Sequence, residues 1–224
     1  MPSQLLASAA AEPVIRGRRG RPTRERAEAI DRQVVETAHA MFLEHGYGAT
    51  AMEAIAAQAA VSKGTLYARY PSKADLFAAV VEDRVRVWSA RAARRDAELP
   101  QGLTGRLEHH VRAAIESMAD PDVAGFNTMM LVARAQFPEL AQIYFDRAVL
   151  RHVEVVRRGI AEAAIDGPVC DDPEAMAFAL LEAAMGWSWM RSACGGPEQK
   201  HCVAEVARDI VARTLRGFGL PVGQ

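Results

Sequence analysis

The chain has 224 residues, half of them hydrophobic, and a formal net charge of −1, which allows one small domain and one larger one, each with its own core. No apolar run reaches the roughly 18 residues of a membrane span, and residues 1–12 lack the basic start and long apolar stretch of a secretory signal. Three cysteines are too few for a disulfide framework and are typical of a reducing cytoplasm, so we predict a cytoplasmic protein with no membrane partner.

A basic segment precedes every predicted helix. Residues 16–26 hold six arginines and one glutamate, and Gly and Pro interrupt the run. The segment has no apolar periodicity, so we predict that residues 1–26 form a flexible, arginine-rich arm. Arg18, Arg19 and Arg21 suit the minor groove of A·T-rich DNA, where the negative potential is enhanced. A generic solubilising tail is the alternative.

Three helix starts then follow one another within a short stretch. They are the capping box of Thr50 and Glu53, the N-cap Ser62, and the capping pair of Ser72 and Asp75. This spacing leaves room only for short helices joined by tight turns, which is typical of a helix-turn-helix motif. We predict that motif over residues 51–70.

The second short helix has the composition of a DNA-reading helix. Leu66 is its one strongly apolar position. The remaining side chains are small, polar or basic: Lys63, Gly64, Thr65, Ala68 and Arg69. Such a face is too polar to be a packing surface but fits the major groove, and a helix N-terminus attracts phosphate. A solvated surface helix is the alternative.

The rest of the chain is predicted to be helical. Breaks at Gly and Pro separate helices over about 72–98, 103–119, 123–136, 138–165, 172–195 and 198–216. No strand-like alternation appears. The predicted fold class is therefore all-α, with about nine helices.

Residues 30–81 resemble the tetracycline-repressor (TetR) family of bacterial regulators. The landmarks are, in order, Phe42-Leu43-Glu44-His45-Gly46-Tyr47-Gly48-Ala49-Thr50, Ile55-Ala56, Val61-Ser62-Lys63-Gly64-Thr65-Leu66-Tyr67, Tyr70, Ser72-Lys73 and Leu76-Phe77. The resemblance implies a three-helix DNA-binding head (27–87) and a helical body that senses a ligand and dimerises (88–224).

The resemblance also implies roles for individual residues. Thr50, Tyr67, Tyr70 and Lys73 would hold phosphates, and Lys63, Gly64 and Thr65 would face base edges, next to the N-cap Ser62. Two positions depart from the family pattern: Ala60 stands at a turn where Gly is usual, and Tyr70 stands where Phe is common. Arg69 occupies a variable position, and we expect it to shape the choice of operator.

Charge and apolar patterning agree with this division. Residues 1–97 carry 15 basic and 11 acidic side chains, whereas residues 98–224 carry 12 and 17, so a positive head stands on a negative body. Between Met176 and Met190 only Glu182 is charged, and residues 203–215 are amphipathic. Two such helices predict a two-fold, four-helix homodimer interface. A monomer that buries both helices is the alternative.

We expect an apolar or amphipathic small-molecule effector to bind the body, because Met and aromatic residues make adaptable cavities. The candidate lining residues are Trp88, Met118, Phe126, Met129, Met130, Arg134, Tyr144, Phe178, Met185 and Trp189. Each of them has plain core or dimer packing as its alternative. The polar candidates for orienting a ligand are Asn127, Arg134, Gln136, His152 and Glu182.

The function predicted from the sequence is a homodimeric repressor that leaves a palindromic operator when the effector binds. An enzyme is not expected, because the chain has no phosphate-binding glycine loop, no His-x-x-x-His pair and no clustered nucleophile and base. The alternative is a ligand-independent architectural protein that binds A·T-rich DNA. Activation instead of repression stays open. Cofactors and metals are not expected, although Cys194, His201 and Cys202 lie close in sequence.

Overall fold

The computed structural model describes residues 24–95, 100, 102–163, 169–193 and 202–222. The helices in those ranges are α1 Arg24–Ala49, α2 Met52–Gln58, α3 Lys63–Arg69, α4 Lys73–Arg95, α5 Leu103–Met118, α6 Pro121–Ala133, α7 Pro138–Tyr144, α8 Leu150–Ala163, α9 Pro173–Ala193 and α10 Val203–Gly217. A π-helical turn, Phe145–Val149, joins α7 to α8. The predicted all-α class is confirmed, and α7 to α8 form the one long rod expected after residue 138. None of these helices is long and apolar enough to cross a membrane.

Local capping explains where α3 and α4 begin. The hydroxyl of Ser62 accepts a hydrogen bond from Thr65 N at 3.0 Å, which satisfies a free N–H of α3. Ser72 and Asp75 cap α4 reciprocally: Ser72 N donates to Asp75 Oδ2 at 3.0 Å, and Asp75 N donates to Ser72 Oγ at 3.1 Å. Both predicted caps are confirmed.

The capping box predicted for Thr50 is wrong. The N-cap of α2 is Ala51, and no side chain caps that helix. The hydroxyl of Thr50 turns inward instead and donates to Gly46 O at 2.8 Å. That carbonyl is available because α1 breaks at Gly46, whose φ of +79° lies in the left-handed region that glycine tolerates.

The turn of the helix-turn-helix depends on one strained residue. Ala60 has a φ of +52°, the one left-handed non-glycine among the described residues. Val61 N donates to Ala56 O at 3.0 Å across the end of α2, the bond of a Schellman-type C-cap. Alanine in this conformation costs about 1–2 kcal/mol relative to a relaxed backbone. The departure from glycine that we noted in the sequence therefore falls on a left-handed position.

Two hydrophobic cores hold the helices together. The first lies between α1–α4 and includes α6 and α7, with Phe42, Phe77 and Phe126 fully buried at its centre. The second lies between α5, α8, α9 and α10, around Leu107, Leu180 and Leu215. Because α6 and α7 lie against the head, the packing itself does not divide at residue 88. The division into 27–87 and 88–224 stays a prediction.

A polar junction links α6 to α1 and α4. Asp122, in the first turn of α6, accepts a hydrogen bond from Trp88 Nε1 of α4 at 2.9 Å. Its other oxygen lies 3.0 Å from His39 Nε2 of α1, a close contact without the alignment of a hydrogen bond. Burial lowers the pKa of His39, and the positive charge of Arg84 lowers it further. One carboxylate therefore contacts three helices.

Candidate DNA interface and effector region

The outer strip of α3 is the first candidate surface. Lys63, Gly64, Tyr67 and Ala68 are exposed along one side of the helix, and Leu66 on the other side is fully buried in the first core. A Cβ built on Gly64 would meet only the Ser62 hydroxyl, at 3.9 Å. The fold does not require glycine there, so its small size serves the outer surface. A partner can approach the backbone of α3 closely at this point.

Hydroxyl groups line the start of this strip. Ser62 Oγ and Thr65 Oγ1 lie 2.8 Å apart, so the two hydroxyls share a hydrogen bond. Lys63 is exposed between them. Free N–H groups, two hydroxyls and an ammonium at a helix N-terminus make a site that favours phosphate oxygens or the acceptor edges of bases.

Tyr67 is held by α2. Its side chain is 41% exposed, and its hydroxyl donates to Glu53 Oε1 at 3.1 Å. The hydrogen bond to Glu53 raises the pKa of Tyr67, so the hydroxyl stays protonated and remains a donor. The contact joins α2 to α3 at the exposed surface and limits where the tyrosine ring can lie.

Arg69 and Tyr70 face α1 instead of the outer strip. Arg69 Nη1 donates to Asp31 Oδ1 at 2.5 Å, and the Tyr70 hydroxyl donates to the same oxygen at 3.4 Å. The Arg69 side chain is 23% exposed. Burial, followed by the charge of Asp31, raises the pKa of Tyr70 to about 12. Asp31 therefore fixes the end of α3 against α1, and neither side chain is free to turn outward without losing this pair.

Thr50 and Lys73 also lie behind the outer strip. Thr50 is 2% exposed and its hydroxyl is bonded within the chain. Lys73 Nζ donates to Tyr47 O at 2.8 Å and to Thr50 O at 3.0 Å, where it closes the end of α1. Its ammonium also lies 4.4 Å from the centre of the Tyr47 ring. These interactions give both residues a structural role at the end of α1.

Arg18, Arg19 and Arg21 of the predicted arm lie outside the described residues, as do Cys194 and His201. Cys202 is an exposed free cysteine at the start of α10. The described ranges contain no group of three or more His, Cys, Asp or Glu side chains that could hold a metal ion.

The predicted effector residues fall into two separate groups. Phe126, Met129 and Met130 are buried in the first core, with Trp88 and Tyr144 packed against it. Phe178 and Met185 pack against the second core. Arg134 is exposed, and Trp189 is 58% exposed on α9. The set does not converge on one chamber, because α6 and α7 pack towards the head while α9 packs towards α5 and α8.

A hydrogen-bonded polar pair, Tyr144 and Asn127, lies next to the candidates that pack in the first core. The Tyr144 hydroxyl donates to Asn127 Oδ1 at 2.7 Å, and Asn127 Nδ2 lies 3.7 Å from Met118 Sδ. Burial raises the pKa of Tyr144 to about 12. Tyr144, Asn127 and Met118 therefore form a chain across α7, α6 and α5. This chain brings a phenol and an amide together beside Phe126, whose ring lies 5.8 Å from that of Tyr144.

Two cavities lie in the second core and at its edge. The larger, about 260 Å³, is a cleft between α5 and α10 lined by residues such as His109, Arg112 and Arg208. The smaller, about 10 Å³, lies between α5, α8 and α9 beside His110 and His152. None of the ten predicted effector residues lines either cavity. Among the polar candidates predicted from the sequence, His152 lines the smaller cavity.

Family models match both halves of the chain. The model described as bacterial regulatory proteins, tetR family, matches residues 34–80. The model described as AefR-like transcriptional repressor, C-terminal domain, matches residues 105–219, which is half of the chain. The chain belongs to the TetR family. No curated protein sequence matches it significantly.

Solved structures share the fold of this TetR-family protein along nearly its whole length. The flavonoid-responsive regulator FrrA is 25% identical, covers 85% of this chain and 97% of its own, and superposes with a TM-score of 0.70. Salmonella enterica GusR is 20% identical, with coverage of 84% and 96% and a TM-score of 0.63. The multidrug binding protein EbrR, complexed with imidazole, is 19% identical, with coverage of 86% and 90% and a TM-score of 0.59.

Sequence reasoning missed the acidic residues that arrange this TetR head. Asp31 and Glu53 hold the ends and face of α3, and Asp122 joins three helices. Of these three residues, only Glu53 belonged to a recognisable sequence pattern. It was predicted to form a capping box with Thr50, but it accepts a hydrogen bond from Tyr67. The partners of Asp31 are 38 and 39 residues away. Spacing along the chain contains no information about such contacts.

Proposed function

We propose that this TetR-family transcriptional regulator is a homodimeric repressor that binds a palindromic operator and leaves it when an apolar or amphipathic small molecule binds. The outer strip of α3 supports the proposal most directly. We assign Lys63, Gly64 and Tyr67 of the strip to the major groove and its phosphates, together with Ser62 and Thr65 at the helix start. The head as a whole supplies one half of a two-fold site.

The exposed apolar surface of α9 supports the dimer. The predicted apolar stripe of α10 (Val206, Ala207, Ile210, Val211 and Leu215) is buried within this chain. On α9, Trp189 is 58% and Met190 is 62% exposed, and Ala183 and Gly186 are exposed beside them. Small residues flanked by large apolar ones allow close helix packing across a two-fold axis. We therefore assign the apolar part of the interface to α9.

Two heads on a two-fold axis would read half-sites about 34–36 Å apart, one turn of DNA. Any change in the head spacing then changes the operator affinity. We assign the transmission of that change to α4, which is about 34 Å long at 1.5 Å per residue. It begins at α3 and contacts Asp122 of α6 through Trp88. An effector acts by binding better to one arrangement than to the other.

The effector region that we favour surrounds Asn127 and Tyr144. Aromatic and methionine side chains border this polar pair, so it suits a ligand with an apolar body and one or two hydrogen-bonding groups. FrrA is named as flavonoid-responsive and EbrR as a multidrug binding protein. Those names support an aromatic, weakly polar effector class for this protein.

A gel-shift titration with the DNA that flanks its own coding region tests operator binding. Two salt concentrations and excess competitor DNA separate specific from electrostatic binding. We expect a discrete, competitor-resistant complex with two protomers or more. Salt-sensitive smearing alone would favour the alternative, an architectural protein that binds A·T-rich DNA through the arginine-rich arm. Removal of residues 1–21 should lower affinity in either case and reduce the salt dependence.

Variants of α3 test the residue assignments. Lys63→Ala and Tyr67→Phe should each weaken operator binding about five- to tenfold, the loss of one charged or hydrogen-bonded DNA contact, without changing the thermal midpoint. The control is Arg158→Ala on α8, which removes a positive charge from an exposed side chain away from the DNA surface. An equal loss in this control, or unfolding of both α3 variants, would contradict the assignment.

A further inference from the structure

A cleft between α5 and α10 has the composition of a binding site. Its volume is about 260 Å³. On α5 it is lined by residues 105, 108, 109 and 112, which lie on one face of that helix. Residues 204, 207 and 208 face it from α10, and Pro100 closes one end. This cleft lies at the edge of the second core, whereas the Asn127–Tyr144 pair lies beside the first core.

The walls of the cleft combine charge with a small apolar floor. Arg112 and Arg208 contribute guanidinium groups from the two helices, and Ala204 and Ala207 contribute methyl groups between them. Gly105 allows Pro100 to pack closely against α5 at this end, because a Cβ on residue 105 would lie only 3.0 Å from Pro100 Cβ. The small side chains at these positions leave the space that larger ones would fill.

The two arginines of the cleft differ from their neighbours. Within the described part of the chain, neither Arg112 nor Arg208 has a carboxylate oxygen within 4 Å. On the same two helices, Arg106 is paired with Glu162 at 2.9 Å and Arg213 is paired with Asp209. Cations in a concave, partly apolar site attract anions more strongly than cations on an open surface.

Hydrogen bonds orient part of the cleft. Arg112 Nη2 lies 3.4 Å from His109 Nδ1, and a guanidinium can only donate, so this nitrogen of the imidazole is the acceptor. Arg208 Nε donates to Ala204 O at 3.4 Å, which holds the stem of that side chain along α10. Among the described residues that line the cleft, Glu108 is the one acidic side chain. It lies four residues before Arg112, a favourable spacing for an ion pair, yet the two are not within salt-bridge distance.

We propose that the α5–α10 cleft binds a small organic carboxylate, with Arg112 and Arg208 on the carboxylate and Ala204 and Ala207 under its apolar body. Guanidinium groups match carboxylate geometry and form charge-assisted hydrogen bonds. The volume equals the liquid share of roughly nine water molecules, at about 30 Å³ each, which fits a molecule the size of benzoate. The site is separate from the effector region proposed above, so its failure would leave that proposal intact.

Ligand-observed ¹⁹F NMR with the full-length protein tests this site. The probes are 4-fluorobenzoate and its neutral analogue 4-fluorobenzamide. We expect the carboxylate to bind at least tenfold more tightly than the amide, because the charge of the ligand provides the interaction with the two arginines. Inorganic phosphate should displace the probe only weakly, since it cannot use the apolar floor.

Three variants identify the site. Arg112→Gln combined with Arg208→Gln should lower the affinity for 4-fluorobenzoate at least tenfold, and Arg213→Gln on the outer face of α10 should leave it unchanged. Glu108→Gln removes the negative charge of the lining and should raise the affinity about threefold or more. This opposite change keeps the proposal testable if the double variant does not fold.

Several results would overturn the proposal. They are absence of 4-fluorobenzoate binding up to about 10 mM, equal binding of the amide, and phosphate as good a ligand as the carboxylate. Loss of binding in the Arg213→Gln control would also overturn it. So would a decrease in affinity on replacing Glu108.

Discussion

Replacing Asp122 with alanine should destabilise the polar junction of α6 with α1 and α4. The carboxylate accepts the Trp88 indole hydrogen at 2.9 Å and lies in the first turn of α6. Loss of a hydrogen-bond partner for a half-buried indole costs about 1–2 kcal/mol, at the low end because water can reach part of the ring. Loss of a negative charge at a helix N-terminus costs about 0.3–1 kcal/mol more. The contact with His39 adds little, since burial lowers the pKa of that imidazole and favours its neutral form.

The expected total is a loss of about 2 kcal/mol in the free energy of unfolding. For a chain of this length, that corresponds to roughly 4–8 °C in the thermal midpoint. Urea denaturation followed by far-UV circular dichroism measures the change, with the slope compared between variants to check that the transition stays the same. Protein concentration must be held constant, because the proposed dimerisation would make apparent stability concentration-dependent.

Asp122→Asn is the matched control. Its amide oxygen can still accept from Trp88, so only the charge is lost, and we expect about 0.5–1 kcal/mol of destabilisation. Equal losses for the alanine and asparagine variants would refute the hydrogen-bond argument. A change of less than about 0.5 kcal/mol in the alanine variant would show that the junction does not contribute to stability.

Three further predictions concern the head and the buried histidines. Ala60→Gly should raise stability by about 0.5–1 kcal/mol, because it relieves the left-handed strain at φ +52°; an unchanged thermal midpoint would contradict this. Leu66→Ala should lower the free energy of unfolding by about 2–5 kcal/mol, and operator binding should be lost because the head unfolds. Lys63→Ala should weaken binding without this loss of stability, and equilibrium unfolding distinguishes the two variants. Burial lowers the pKa of His39 and of His152, and the charge of His110 lowers that of His152 further. Below about pH 6.5 the unfolded chain therefore binds more protons than the folded protein does. The free energy of unfolding should fall as the pH drops from 7 towards the folded-state pKa values. His39→Gln should flatten that profile, and an unchanged slope would contradict the assignment.

The helix-turn-helix was predictable because its signals are local. Ser62 caps α3 through an N–H three residues away, and Ser72 and Asp75 cap each other across one turn. The burial of Leu66 was predictable from the same short stretch, since the single large apolar residue of a polar helix is the one expected to pack in the core. The left-handed turn at Ala60 also lies within it. Local hydrogen bonds and steric limits act over a few residues, so the chain order already contains them.

The capping box was wrong because two local arrangements were possible at Thr50. The break of α1 at Gly46 leaves a carbonyl 2.8 Å from the Thr50 hydroxyl, and that carbonyl takes the place of the N-cap bond. The partner of Arg69 could not be predicted for a different reason. Asp31 lies 38 residues away and reaches Arg69 only because α1 packs against α3. The role of Arg69 in the choice of operator stays a prediction.

The amino-acid sequence by itself determined the fold class, the positions of the helices and the exposed composition of α3, since caps, breakers and apolar periodicity are properties of neighbouring residues. Only the tertiary structure decided which apolar residues share a core. It placed Phe126 with the head and Phe178 with α5 and α8, and it buried the apolar stripe of α10. It also formed the cleft that contains Arg112 and Arg208. The physical reason is that a cavity is the space left between packed helices, and that space depends on every crossing angle and side-chain volume at once.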